Sequence, residues 1–276
     1  MADTDVVITK LNADDAHAGL VLSTEAHWNQ NEADWRVFLS RGTVFGVRDR
    51  DGLLVATAAL LPYTSGNAWI SMVLVTANWR RRGVATKLVD ACLEAAAKLC
   101  LIAWLDATPA GATVYGPLGF APMLQLRRLR LENSTSLKAA ASQPLSVGTL
   151  RDFTARDIST MGFDRSALLA ELGGRSGSRL LSNDGALALV RDGRKARHIG
   201  PLFANNSDRA LALVHEIVRS ETGPVLIDAV STQEEFLSGL TGLGWNIERP
   251  FQRMRFGRAT TLPAELPFAV AGPEYG

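Results

Sequence analysis

The sequence predicts an α/β fold of α+β character, built as two domains in tandem, and three observations carry that expectation. The chain has 276 residues, beyond the usual single-domain size and enough for two units of about 140 each. One succession of elements occurs twice: a hairpin, a strand, a helix, a strand closing on Asp-Ala, a helix, then Gly before an aromatic residue. Between the copies lies Asn133-Ser134-Thr135-Ser136-Leu137-Lys138-Ala139-Ala140-Ala141-Ser142-Gln143-Pro144, which is small, polar and closed by proline. The expected domains are therefore residues 1–133 and 145–276, joined by a linker over 134–144. Hydrophobic residues at 47% and charged residues at 21% supply an ordinary core, and exclude disorder, collagen and disulfide scaffolds as descriptions of the whole.

Val6-Val7-Ile8 is a β-rich run. Asp14-Asp15 then stands where a helix N-cap belongs, opening a helix that carries Ala16, Leu20 and Val21. Residues 43–47 and 53–60 flank Asp49-Arg50-Asp51-Gly52, a turn signal, and read as a hairpin. Residues 68–75 form a further strand. A helix over 86–99 follows from the apolar stripe of Leu88, Val89, Cys92, Leu93, Ala96 and Leu99. A buried strand over 101–105 ends at Asp106, a short helix covers 112–118, and Gly119-Phe120 enters a last strand. In the second copy Asp184-Gly185 and Asp192-Gly193 turn into strands over 186–190 and 196–199. Helices over 208–219 and 234–243 flank Val225-Leu226-Ile227-Asp228-Ala229, which parallels Ile102 to Ala107. Gly242-Leu243-Gly244-Trp245 parallels Pro117-Leu118-Gly119-Phe120.

Twenty-nine basic against 28 acidic residues leave a net charge of +1. The halves are equally balanced, with 14 basic and 13 acidic groups over residues 1–138 and 15 of each over 139–276. A nucleic-acid binder normally carries a basic excess, so nucleic acid is not an expected partner. The start, Met1 to Asp5, is acidic and lacks the pattern of a signal peptide. The most apolar stretch, 53–61, is too short to span a bilayer. A soluble, cytoplasmic protein with no membrane partner is expected, as a monomer or a homodimer. Cys92 and Cys100, if on one helix, lie about 12 Å apart, too far for a disulfide, and read as small buried thiols. None of the four histidines has an i,i+4 partner or a Cys-x-x-Cys companion, so no metal site is expected. His198, beside Arg194, Lys195 and Arg197, reads as a solvated turn.

The segment that carries chemistry is Val73-Leu74-Val75-Thr76-Ala77-Asn78-Trp79-Arg80-Arg81-Arg82-Gly83-Val84-Ala85-Thr86-Lys87. A strand passes through a short Arg-rich loop into a helix. The loop amides and the free N–H groups of the first helical turn converge on one point, which suits a pyrophosphate. Gly83 and Ala85 let that anion approach the backbone. A solvated basic helix start is the plainer reading of the loop alone. It is neither a Walker loop nor a dinucleotide Gly-x-Gly-x-x-Gly turn.

Arg80-Arg81-Arg82-Gly83-Val84-Ala85 resembles the Arg/Gln-x-x-Gly-x-Gly/Ala loop of the GCN5-related N-acetyltransferases. Ala112-Thr113-Val114-Tyr115-Gly116-Pro117-Leu118-Gly119-Phe120 is similar to that family's Ala-x-x-Leu-Tyr-x-x-x-Gly-Phe element. The two cover residues 6–130. Trp28-Asn29-Gln30, Ala33-Asp34-Trp35, the stretch 105–111 and His198-Ile199-Gly200-Pro201-Leu202 extend the resemblance to a tandem branch, with an active first domain and a degenerate second one. The resemblance implies, for each domain, a mixed and mostly antiparallel twisted sheet flanked by helices. It implies acetyl-CoA, or another short acyl-CoA, lying between two splayed strands, with no metal.

The same resemblance gives the residues their expected roles. Val73, Leu74 and Val75 would meet the pantetheine arm, and an N–H near Leu74 or Val75 would steady the developing oxyanion. Arg80, Arg81, Arg82, Gly83, Val84, Ala85 and Thr86 would hold the pyrophosphate. Tyr115 matches the tyrosine that protonates the departing thiolate, the bland alternative being a core tyrosine. The base that frees the attacking amine is open among Glu25, His27, Asp34 and Asp106, where Asp106 is otherwise a cap for the next turn. His27, Trp28, Asp34 and Trp69 border the expected acceptor mouth, although Trp at an element end is more often core. The implied reaction is direct acyl transfer to a small-molecule amine. Transfer to a hydroxyl, or acyl-CoA binding without turnover, are the alternatives. The second half has no such loop after Pro201-Leu202-Phe203-Ala204-Asn205-Asn206 and is expected to bind no CoA. Its expected role is to cover the acceptor face, and Asp228 reads as structural.

Overall fold

The computed structural model describes residues 6–132 and 145–276, so the linker expected over 134–144 lies outside the described residues. The chain divides into two compact units, Met1–Leu105 together with Tyr275, and Asp106–Glu274 together with Gly276.

The first unit holds β1 (Ile8–Lys10), β2 (Thr43–Arg48), β3 (Leu54–Pro62), β4 (Asn67–Val75) and the start of β5 (Ile102–Ala107), side by side in that order. β1 to β4 pair antiparallel, and β4 pairs with β5 in parallel. The helices are α1 (Ala16–Glu25), α2 (Glu32–Arg41) and α3 (Val84–Lys98). Asp15 occupies the N-cap position of α1 without a side-chain cap bond, and Asn12 caps the 3-10 turn Ala13–Asp15 that precedes it: its side chain accepts from the Asp14 N–H, and Asp15 answers the Asn12 N–H in a capping box. α2 opens the same way on Asn31 and Asp34. The two helices lock through Trp35, whose Nε1 donates to Ser23 Oγ at 2.8 Å. A Cβ on Gly19 would stand 2.4 Å from that indole, so only glycine lets α1 lie this close. Cys92 is buried on α3, while Cys100 lies past the helix end, exposed and at φ 55°. The expectation of two buried thiols therefore holds for Cys92 alone.

The second unit holds α4 (Pro109–Tyr115), β6 (Phe120–Leu131), β7 (Ser146–Val147), α5 (Leu150–Met161), α6 (Ser166–Gly174), β8 (Arg179–Asn183), β9 (Ala186–Arg191), β10 (Arg197–Phe203), α7 (Ser207–Ser220), β11 (Val225–Val230), α8 (Glu234–Gly242) and β12 (Asn246–Phe256). Its strands lie in the order β12-β6-β11-β10-β9-β8-β7, with β10 and β11 parallel and the other pairs antiparallel. Val190, Ile199, Leu213, Ile217, Val225, Ile227 and Phe236 fill its core, each fully buried. The units divide at Leu105/Asp106, upstream of the boundary expected from sequence, because β6 pairs with strands of the second repeat. It runs against β12 from Phe120↔Phe256 to Arg130↔Asn246, and against β11 from Leu126↔Val230 to Leu131↔Val225. Among the described residues no helix is long and apolar enough to cross a membrane.

Candidate active site

β4 and β5 pair only at Asn67↔Ile102, Ala68↔Ala103 and Trp69↔Trp104. Beyond Trp69 the two strands have no further ladder pair. A bulge sets in at the same place: the β3 register shifts between Thr57 and Ala59, and Met72 takes φ 52°. Thr57 Oγ1 covers the displaced Met72 carbonyl at 2.8 Å. The Thr76 N–H donates to Val55 O, toward β3. Strand alternation then turns the Leu74 peptide groups toward β3, and those of Val73 and Val75 toward the open side. Leu74, 5% exposed, thus serves the core through its side chain, while the backbone turned to the open side belongs to Val73 and Val75, the Val75 carbonyl there already accepting from Arg80 Nε.

The loop after β4 leads into α3 through two left-handed residues, Arg81 at φ 60° and Gly83 at φ 73°. Gly83 is the N-cap and offers no side chain, so no side-chain bond caps the helix. The first-turn amides of Val84, Ala85 and Thr86 have no intrahelical partner to donate to, and no acid stands in that turn. A Cβ placed on Gly83 would find nothing within 4 Å, so the approach to these amides is open. Arg80 folds back, its Nε donating to Val75 O at 3.0 Å, and Arg82 stacks over Trp79 with its guanidinium carbon 5.3 Å from the ring centre. An uncapped helix N-terminus, a positive dipole end and flanking guanidinium groups fit a pyrophosphate.

The acceptor-side candidates separate clearly. Glu25, at the end of α1, is exposed, and its Oε1 accepts from the Ala77 N–H at 2.9 Å, which ties it to the loop below β4. His27 is exposed at φ 59° and ends α1, with its N–H donated to Thr24 O, so its position is set by helix termination. Trp28 is partly exposed. Asp34 is fully buried: Oδ2 accepts from the Asn31 N–H and Oδ1 from the Tyr275 hydroxyl, both at 2.9 Å. Tyr275 in turn stacks on Phe38 and accepts, through its carbonyl, from the Tyr63 hydroxyl at 2.8 Å. Trp69 is 1% exposed and stacked on Trp104, with centres 6.4 Å apart. Asp34 and Trp69 are therefore interior groups, and no acceptor reaches them without rearrangement.

Two candidates fall in the second unit. Tyr115 closes α4, a helix opened by Thr108 and Pro109. Its ring lies 6.0 Å from Phe120, and a Cβ on Gly111 would meet it at 2.9 Å. The Asp106 side chain is fully buried, with Oδ1 and Oδ2 receiving Arg253 Nε and Nη2 at 2.9 and 2.8 Å. Burial pushes its carboxyl above the usual range, against the opposing pull of Arg253. Sequence reading had no signal for Arg253, which is 147 residues away.

A second buried network was also missed. Asp228 receives Arg128 Nε and Nη2 in bidentate fashion, both at 2.8 Å, and its Oδ2 lies 2.9 Å from His198 Nε2. Burial alone would raise the Asp228 carboxyl, but Arg128 and His198 hold it well below the usual range. His198 is 1% exposed, the opposite of a solvated turn, and burial together with the Arg191 charge lowers its pKa. Alternation along β10 sends His198 inward, which the basic neighbours Arg194, Lys195 and Arg197 conceal in the sequence. Among the described residues no group of three His, Cys, Asp or Glu is placed to hold a metal.

A model of the Acetyltransferase (GNAT) family matches residues 13–120, and one of an Acetyltransferase (GNAT) domain matches residues 154–268. An uncharacterised N-acetyltransferase of Bacillus subtilis, YitH, is 24% identical over 258 residues, covering 88% of this chain and 89% of that protein. A crystal structure from Pyrococcus horikoshii, described provisionally as an acetyltransferase, superposes with a TM-score of 0.82 at 17% identity, over 99% of this chain and 97% of that one. A tandem GNAT protein from the clavulanic acid biosynthesis pathway gives 0.62 at 15% identity, over 91% and 98%. At such identities these structures speak for the fold.

Proposed function

The chain belongs to the GCN5-related N-acetyltransferase superfamily, whose members take an acyl group from acetyl-CoA, and we propose that it passes a short acyl group to the amine of a small molecule. The observation that carries this reading is that β4, which loses its pairing with β5 beyond Trp69, leads through a short loop into an uncapped, acid-free helix N-terminus. Acetyl-CoA supplies a thioester-activated acetyl group. The outward peptide groups of Val73 and the Val75 N–H would align the pantetheine arm. The N–H groups of Val84 to Thr86, with Arg81 and Arg82, would hold the pyrophosphate. The Val75 N–H is the better placed oxyanion donor, since the Leu74 peptide turns toward β3.

Glu25 is the proposed general base, acting directly or through a water. Among the described residues its second carboxylate oxygen makes no hydrogen bond, and the residue is exposed, whereas both oxygens of Asp106 are held by Arg253. Tyr115 is the proposed acid, keeping its phenolic proton until the thiolate departs. This role rests on the motif it shares with the family. The second domain is proposed to be degenerate.

Thiol release from acetyl-CoA across a panel of amines and hydroxyl compounds tests the reading. Turnover with an amine is expected, with Tyr115→Phe lowering kcat about a hundredfold or more at little change in KM. Binding of CoA without turnover on any acceptor would sink the enzymatic reading, and turnover confined to hydroxyl compounds would redirect it to O-acylation.

A further inference from the structure

The second unit repeats the opening of the first. β10 and β11 run parallel only at Arg197↔Val225, His198↔Leu226 and Ile199↔Ile227, and the β9 register breaks between Ile199 and Leu202. The gap that follows is filled by the chain itself. Ala269 bridges Leu202 on β10 and Ala229 on β11, antiparallel to both. The Leu202 N–H donates to Ala269 O and the Phe268 N–H to Leu202 O, both at 2.9 Å. On the other side the Val230 N–H donates to Phe268 O and the Val270 N–H to Asp228 O, both at 3.0 Å.

The segment is seated firmly. Phe268, Ala269, Val270 and Ala271 are buried, and Phe268 meets Phe236 edge-on at 5.2 Å. A Cβ on Gly200 would come within 2.1 Å of Val270 O, so glycine is required for the segment to lie against β10. Arg191 Nη2 closes the far end on Ala271 O at 2.9 Å. The anion end of the opening is closed as well. α7 is capped by the Asn206 side chain, which accepts from the Arg209 N–H, and Asp208 stands in its first turn. α3 has neither feature.

We propose that residues 268–270 are a built-in occupant of the second unit's cofactor opening, taking the strand-edge hydrogen bonds that a pantetheine arm would take. The chain therefore carries one acyl-CoA, at its first unit, and the second opening is sealed by its own backbone. The inference rests on the reading of the β4–β5 opening as an acyl-CoA site.

Hydrogen exchange on the full chain, free and with excess CoA or excess pantetheine, tests it. The amides of Leu202, Val230 and Val270 should be strongly protected in the free protein and unchanged by either compound. CoA should slow the amides of Val84 to Lys87. Loop-like exchange at Leu202, Val230 or Val270, a change there on adding either compound, or two CoA per chain by calorimetry would overturn the proposal. Absence of any CoA effect at Val84 to Lys87 would instead remove the reading of the first unit, on which the proposal depends. Val270→Pro deletes the donor to Asp228 O and should speed exchange at Leu202 and Val230 by about fivefold or more. Unchanged protection in that variant would also count against a seated segment, and the wild-type comparison decides if the variant does not fold.

Discussion

Gly83→Ala isolates the loop conformation from its chemistry. Gly83 sits at φ 73°, ψ 5°, and a Cβ there meets nothing within 4 Å. The substitution therefore adds no clash and removes no contact. What it adds is the left-handed conformation of an L-residue, costing about 1–2 kcal/mol. The loop is exposed, so in the free protein it can relax toward negative φ and shed that strain. Relaxation swings the first-turn amides of α3 away from their common focus, and the strain returns when an anion draws them back. The cost should then appear in binding: CoA affinity weaker by about five- to thirtyfold, since 1.4 kcal/mol is a factor of ten. Gly83→Asn, which tolerates the left-handed region better, should lose less. Calorimetric titration with CoA and thermal unfolding of each variant give the two readouts. An Ala variant that binds CoA within twofold of the parent would refute the argument that Gly83 sets the anion focus.

Two further expectations concern the buried network of the second unit. Asp228→Asn leaves Arg128 bidentate to nothing charged and should cost about 3–5 kcal/mol in denaturant unfolding. A loss below about 1 kcal/mol would mean that Arg128 finds other support. His198 is held neutral in the fold, while an unfolded histidine takes a proton below pH about 6.5. More protons bind the unfolded chain in that window, so this group makes stability fall as pH drops from about 6.5 toward its lowered folded pKa, by up to about 1.4 kcal/mol per unit. His198→Gln should flatten that part of the profile relative to the parent. Parallel profiles for the two proteins would show that His198 is not the group responsible.

Much of this fold could be read from residue patterns, where one periodicity acted alone. α3 was marked by its apolar stripe, and the β2–β3 hairpin by Asp-Gly between two β-rich runs. The Arg-Gly loop was found because charge, glycine and a strand-to-helix transition coincide within a few residues. What stayed hidden depends on distant partners. α2, α5 and α6 lack a clean stripe, since their burial is decided by neighbours such as Gly19, whose missing side chain makes room for Trp35. Asp106 read as a catalytic candidate because nothing local announces Arg253. Arg128, Asp228 and His198 come from three separate strands, and only the sheet order brings them together. Residues 268–270, Phe-Ala-Val, are too short a run to announce a strand and are held by backbone bonds, which side-chain patterns do not encode.

The position of β6 bears on how the chain can be made and cut. This strand is synthesised early, yet both its neighbours, β11 and β12, lie about a hundred residues further on. While the ribosome extends the second half, residues 120–131 present two unpaired edges that include Leu124, Leu126, Leu129 and Leu131. Loop closure of that length is slow. A gene truncated after residue 133 would leave this segment without either partner strand.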